Sequence, residues 1–178
     1  YMVRLMDKKW CLILPAALTI INVNILIVLR LLDVLPENGD PLILQLLLIN
    51  VFITGIIAPP IFITINSMFA DISDEIELTT GRRQEGIIYA ARAFALKAAV
   101  ALGTIVGGVI LDLIQFPEQA LPGEVSPDVL FNLGLAQGPA TSLFSFFGLL
   151  LYFRYRLTRR KHREILEKLA EHRGLAGN

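Results

Sequence analysis

The sequence has very little of what a disulfide-stabilised or cysteine-rich metal domain needs. Cys11 is its only cysteine, which excludes an internal disulfide framework and a cysteine metal cluster. We also expect no cleavable signal peptide, because the basic start YMVRLMDKKW leads into a full hydrophobic span. The first residue is Tyr and not Met, so we expect the chain to be the C-terminal part of something longer.

The sequence is rich in long apolar runs. Hydrophobic residues make up 54% of its 178 residues, and the runs are apolar on every side, unlike the striped helices of soluble domains. A helix needs about 20 mainly apolar residues to cross ~30 Å of hydrocarbon. Four runs reach that length and predict an all-α, multi-pass membrane bundle within residues 1–155: roughly 10–32, 42–69, 87–116 and 130–155.

Residues 156–178 differ from these runs and predict an amphipathic cytoplasmic tail helix. Apolar side chains recur among charges there, at Leu157, Ile165, Leu166 and Leu169. We interpret the tail as a solvated helix that lies along the headgroups, anchored to anionic lipid by its basic residues. The alternative is a helix that binds a partner.

The polar connections alternate in charge along the chain. Lys and Arg are present at the N-terminus, near Arg82 and Arg83, and in the final segment RYRLTRRKHR, whereas the two remaining loops are acidic only. Cytoplasmic loops carry the excess of Lys and Arg. The pattern therefore predicts an integral protein of the plasma (inner) membrane with both termini in the cytoplasm.

Several residues inside the spans indicate how the helices pack. Asn22 and Asn24 sit near mid-membrane, where amides commonly join helices by hydrogen bonds. Gly103 and Gly107 form a small-xxx-small pair that allows close helix approach. We expect both features to be structural.

Prolines mark two places where spans depart from a straight helix. Pro59 and Pro60 lie in the middle of the second span, which is longer than the bilayer requires, so we expect it to be tilted or broken with a kink there. Gly138 and Pro139 predict a bend in the fourth span.

Lys97 is the residue that most strongly indicates a functional site. It follows Ile87 by ten positions, about 15 Å along a helix, so it lies near the midplane, where an unpaired charge is costly. We expect a polar cavity with an acidic counter-charge; the alternative is a neutral or snorkelling lysine. No acid of this chain lies at matching depth, since Asp112 is nearer the outer surface. Small side chains share its face: Ala90, Ala93, Ala101, Thr104 and Gly108.

The loop after the second span carries a set of carboxylates that allows two interpretations. Asp71, Asp74 and Glu77 recur at three-residue steps. A membrane prenyltransferase or phosphotransferase would use such acids to hold Mg²⁺ against a pyrophosphate, but a second acidic cluster on that membrane side is absent. The alternative is a cytoplasmic network in which the acids pair with Arg82, Arg83 or basic residues of neighbouring loops and stabilise one conformation.

The stretch SMFADISDEIELTTGRRQEGIIYAARAFALKAAVALG resembles the glycoside–pentoside–hexuronide:cation symporters, a branch of the major facilitator superfamily. The ending YRLTRRKHREI is also similar to that family's C-terminus. The resemblance covers spans nine to twelve of a twelve-span protein, its C-terminal half. The family pattern falls on Ala70, Asp71, Asp74, Glu77, Gly81, Arg83, Glu85, Gly86, Tyr89 and Lys97.

The resemblance implies a secondary transporter that couples uptake of a sugar or glycoside to Na⁺, H⁺ or Li⁺ and alternates access by rocking two halves. The family's cation-binding acids lie mainly in the missing N-terminal half, which would supply the counter-charge for Lys97. The predicted substrate and cation cavity is lined by Lys97, Tyr89, Thr104 and Phe62. The predicted charge network comprises Asp71, Asp74, Glu77, Arg83 and Glu85.

The chain departs from the family pattern at two positions near the solute. Ala93 stands where some sugar transporters have a polar residue, and Phe62 replaces an aromatic indole. Related proteins carry other solutes, including lipids, so the substrate stays open.

Three functions therefore follow in order of preference. The first is cation-coupled symport by the parent protein, with the lipid bilayer, the solute and the N-terminal half as partners and no cofactor beyond the coupling cation. The second is a four-helix accessory or structural subunit without transport activity, and the third is the Mg²⁺ enzyme. No nucleic-acid partner, protein-bound metal or catalytic residue is expected for the preferred function.

Overall fold

The computed structural model describes residues 7–121, 123–154 and 159–176, and every regular element in these ranges is helical. Four helical spans are long and apolar enough to cross a membrane, which confirms the predicted all-α membrane bundle. The elements are α1 (Lys8–Leu31), α2 (Pro41–Thr80), α3 (Glu85–Leu113), α4 (Pro127–Leu135), a π-helical segment (Ala136–Ala140), α5 (Thr141–Tyr152) and α6 (Arg159–Ala176).

Helix α2 is far longer than a single membrane crossing. Asp40 starts it, because its side chain accepts a 2.8 Å hydrogen bond from the backbone N–H of Leu42, and Gly81 ends it in a left-handed conformation with φ of 67°. Its 40 residues span about 60 Å, roughly twice the hydrocarbon thickness. The helix continues through Pro59 and Pro60 without interruption, so the break considered for this pair is absent. The extra length is a polar extension, residues 71–80.

Helix α1 lies at the centre of the described bundle and contacts α2, α4, the π-helical segment and α5. Its mid-membrane amides make the contacts that the sequence predicts. The Nδ2 of Asn22 donates to the backbone oxygen of Asn50 at 3.0 Å and to Oγ1 of Thr54 at 2.9 Å. The Nδ2 of Asn50 donates to the backbone oxygen of Asn22 at 2.6 Å, and the Nδ2 of Asn24 donates to Oγ of Ser142. The expected joining of helices by these asparagines is confirmed.

The close approach of two helices occurs at glycines other than those singled out in the sequence. A Cβ placed on Gly138 would lie 2.8 Å from Cγ2 of Ile27, and one on Gly134 would lie 2.9 Å from Cδ2 of Leu31. By contrast, nothing within the described residues lies within 4 Å of a Cβ on Gly103 or Gly107. Among the described residues, Gly134 and Gly138 therefore mark the close helix contact, and the approach that Gly103 and Gly107 would allow stays a prediction.

The bend expected at Gly138 and Pro139 coincides with the π-helical segment between α4 and α5. Pro139 has no backbone N–H to donate, and the hydroxyl of Thr141 donates to the backbone oxygens of Ala136 and Gln137. This hydroxyl adds to the backbone hydrogen bonding of the π-helical segment, as Ser and Thr side chains do in membrane helices with proline.

Helix α3 joins the other helices mainly near its N-terminal end. The guanidinium of Arg92 donates to Oδ1 of Asn66 and stacks over the ring of Phe69 at 5.0 Å, and Phe69 also packs against Tyr89 with ring centroids 6.3 Å apart. Further along α3, the side chain of Val100 is 70% exposed. A groove of about 650 Å³ separates this part of α3 from the fourth span, so most of the helix surface is open to lipid or to further helices.

Candidate functional site

Charged side chains of three helices meet at one end of the bundle. We call this region the charged end: the first turn of α1, the α2 extension, the loop after it and α6. Asp71 on α2 lies at its centre and is only 3% exposed. The Nζ of Lys8 on α1 lies 2.7 Å from both carboxylate oxygens of Asp71. A buried carboxylate needs such a partner, because an unpaired buried charge is strongly destabilising.

Helix α6 adds a second side chain to the same carboxylate. The Nε2 of His162 lies 3.3 Å from Oδ1 of Asp71 and 3.2 Å from Oδ2 of Asp74. One turn of α2 thus presents two carboxylates to a single imidazole. Lys161, beside it on α6, forms an ion pair with Glu75. Asp71 is therefore the point at which α1, α2 and α6 meet.

An apolar contact accompanies these ion pairs. Ile165 and Leu169 on α6 are 4% and 5% exposed and pack against Leu78 on the α2 extension. These two side chains therefore face protein and not lipid, whereas the anchoring of α6 to anionic lipid by its basic residues stays a prediction. The cause is the length of α2: its extension offers a protein surface that the amphipathic face of α6 covers. Leu157 lies outside the described residues.

Two further members of the predicted network, Arg83 and Glu85, form an exposed pair. Arg83 donates from Nε and Nη2 to Oε2 of Glu85 at 3.1 and 2.9 Å. The hydrogen bond to Glu85 raises the pKa of Arg83, as does attraction from Glu85, Glu77 and Asp74. Arg83 therefore stays charged across physiological pH. Because the pair is solvated, its contribution to stability is small.

The structure divides the predicted charge network into two parts. Asp71 and Asp74 pair with Lys8 and His162, whereas Arg83 pairs with Glu85 next to it in sequence. Sequence reasoning missed His162 as a partner; the amphipathic tail was the available signal, but its pattern did not show which surface it covers. Among the described residues, no group of three or more His, Cys, Asp or Glu is arranged to hold a metal ion.

The four residues of the predicted cavity do not converge within the described part of the chain. Lys97 lies near the middle of α3 and is exposed, and it has no ion pair or hydrogen bond to any described residue. Thr104 donates to the backbone oxygen of Val100 on its own helix. Phe62 is 63% exposed, and Tyr89 packs against Phe69 instead. The cavity therefore stays a prediction that needs residues beyond this chain.

A pocket of about 390 Å³ lies elsewhere, between α1, α2 and α4 toward the end opposite the charged end. It is partly open, and its lining is mainly apolar. Arg30 lies on its wall and donates to the backbone oxygen of Pro36 and to Oδ1 of Asn38. The guanidinium thus fixes the loop after α1.

Comparison with known proteins places these observations in a family. The family model described as MFS/sugar transport protein matches residues 1–159. An uncharacterized symporter of Synechocystis sp. is 36% identical over 107 residues, which cover 58% of this chain and 20% of that protein. No solved structure matches. The chain therefore aligns with only about a fifth of that relative.

Proposed function

We propose, because this chain belongs to the MFS/sugar transport protein family, that its parent protein is a cation-coupled symporter of a sugar, glycoside or related solute. The observation that carries the proposal is the family match over residues 1–159, which includes all four membrane spans. The relative described as a symporter supports coupling. An accessory subunit without transport activity is less consistent with a transporter family model that matches all four spans of the chain.

Transport of this kind needs more helices than the chain contains. Facilitator transporters bind solute near the midplane between two bundles that rock against each other. The apolar faces of α2 and α3 are open, as Phe62 and Phe94 show with 63% and 74% exposure. We propose that an N-terminal half of the same protein and the remaining spans cover parts of these faces.

Lys97 is the proposed contact with the solute and cation pathway. A lysine at this depth requires a counter-charge or water, and no described acid supplies one. Ala93 and Ala101 on the same helical face are small and leave room for a neighbouring group. We propose that a carboxylate in the N-terminal half faces Lys97 across a hydrated cavity, and that Na⁺, H⁺ or Li⁺ binds beside it.

The charged end is proposed to face the cytoplasm of the plasma (inner) membrane. Lys8, Lys9, Arg82, Arg83 and Arg154 all belong to this end, whereas the connections at the opposite end are acidic. The positive-inside rule then places both termini in the cytoplasm. The α2 extension and α6 would form a protein layer on that face.

Uptake by the purified full-length protein in liposomes tests the proposal. We expect radiolabelled sugar or glycoside to accumulate above its external concentration only under an inward gradient of Na⁺, Li⁺ or H⁺. An ionophore that collapses the gradient should abolish accumulation, and protein-free liposomes provide the background. A protein that equilibrates solute without accumulating it under any of these gradients would contradict symport.

A further inference from the structure

Helix α6 contacts the bundle through three kinds of interaction, all on one side. His162 reaches the two carboxylates of Asp71 and Asp74, Lys161 reaches Glu75, and Ile165 with Leu169 covers Leu78. Because Lys8 of α1 pairs with the same Asp71, α6 also ties the end of α1 to the end of α2.

The contact between α6 and the bundle is strong enough to favour the docked state and weak enough to allow release. The Lys161 and Glu75 side chains remain 50% and 35% exposed, and an exposed pair shifts an equilibrium by only about fivefold or less. The apolar part consists of two buried side chains on α6. Most helical stability in proteins comes from packing of an amphipathic face, so release would also loosen this helix of 18 residues. Docked and released states can therefore exchange.

We propose that α6 is a reversible clasp that holds the ends of α1 and α2 together, with His162 as the side chain that fixes it to Asp71 and Asp74. In the docked state, the apolar face of α6 is shielded and the carboxylates are paired. In the released state, Leu169 is exposed, and Asp71 retains only its ion pair with Lys8. The link to transport rests on the proposed function, whereas the docking itself does not.

Thiol labelling of the full-length protein in nanodiscs tests the clasp directly, because both membrane faces are accessible there. Any cysteines outside this chain are replaced, and maleimide labelling is followed by mass spectrometry at Leu169→Cys. Leu166→Cys is the matched control, since Leu166 lies on the same helix and is 45% exposed against 5% for Leu169. We expect position 169 to react at least about threefold more slowly than position 166. Equal rates would overturn the docked state.

Substitutions at the ion pairs then test what holds the clasp. His162→Gln and Asp74→Asn should each raise the labelling rate at position 169 by about 2- to 5-fold and leave position 166 unchanged. Glu164→Gln is the control, since the partner of Glu164 is Arg160 on the same helix. An unchanged rate at position 169 in both variants would overturn the assigned role of His162.

A charge reversal separates release of α6 from a general loss of folding. Glu75→Lys should speed labelling at position 169, and adding Lys161→Glu should slow it again. The buried Cys11 reports on the bundle, because it becomes reactive only if the helices separate. Failure of the reversal to slow labelling while Cys11 stays protected would overturn the pairing.

Adding solute and coupling cation tests whether the clasp opens during the transport cycle. In protein that transports, we expect their addition to change the labelling rate at position 169 by at least about threefold, with position 166 as the reference. An unchanged rate in transport-competent protein would overturn reversible release during the cycle. Failure of the proposed function would appear separately as absent uptake, with the labelling difference between positions 169 and 166 intact.

Discussion

Lys97 combines a charged side chain with a position near the centre of a membrane-spanning helix. We expect Lys97→Ala in the full-length protein to reduce solute accumulation to background, because the proposed counter-charge in the other half would lose its partner. The measurement is the ratio of internal to external radiolabelled solute under a cation gradient. Leu96→Ala on the exposed face of α3 is the control and should retain accumulation. Undiminished gradient-driven uptake in Lys97→Ala would argue against a central role.

Gly138 is the residue at which α1 and the fourth span approach most closely. A methyl group there would lie 2.8 Å from Cγ2 of Ile27 and 3.2 Å from Oδ1 of Asn24. Because Ile27 is β-branched and stiff, we expect Gly138→Ala to lower the free energy of unfolding by about 1–3 kcal/mol. The smaller effect should come from Gly134→Ala, whose nearest atom is the flexible end of Leu31.

The measurement for these glycines is unfolding of the detergent-solubilised chain in SDS. Trp10 is the single tryptophan and packs edge-on against Phe153 at 6.2 Å, so its fluorescence reports separation of α1 from the fourth span. Gly107→Ala is the control and should be neutral or slightly stabilising, since open space surrounds Gly107. Equal destabilisation by Gly138→Ala and Gly107→Ala would contradict the described helix contact.

At the level of the elements, α1 and α2 are joined by reciprocal amide bonds. We expect Asn22→Ala and Thr54→Val each to destabilise the chain by about 0.5–2 kcal/mol, with a coupling of roughly 0.6 kcal/mol in a double-mutant cycle. The same SDS unfolding experiment measures all four proteins of the cycle. A control cycle of Asn22→Ala with Ser142→Ala should show no coupling, since the partner of Ser142 is Asn24. Strict additivity of Asn22→Ala with Thr54→Val would exclude their hydrogen bond.

The sequence predicts the elements better than their contacts. Apolar runs determine where the spans are, and the asparagines indicate polar bonds between helices, because lipid offers an amide no other partner. Spacing alone could not show whether Gly103 and Gly107 or Gly134 and Gly138 lie at a helix contact. It shows that the residues on one helix face are small, but not which helix packs against that face. The contacts of the C-terminal tail are equally hard to predict, because one amphipathic pattern can pack against either lipid or the α2 extension. No described residue pairs with Lys97, so its surroundings stay a prediction.

At the level of the whole molecule, the described chain is a partial bundle with an ordered core on one side. Helix α1 contacts α2 and the fourth span, and α6 covers the charged end. Helix α3, which carries Lys97, is held chiefly near Arg92 and Tyr89. The residue with the strongest functional indication thus lies on the helix with the fewest internal contacts, which is what a site shared with other helices requires.

The chain alone should therefore not transport. We expect cells that express residues 1–178 to take up no more labelled sugar or glycoside than cells with an empty vector, because a midplane site between two halves needs both halves. Co-expression of the remaining spans as a second polypeptide should restore uptake, provided that the exposed faces of α2 and α3 assemble with them. Immunoblotting of membrane fractions checks that both pieces are inserted. Gradient-driven accumulation by this chain alone would show that it contains a complete pathway and that Lys97 needs no counter-charge from another part of the protein.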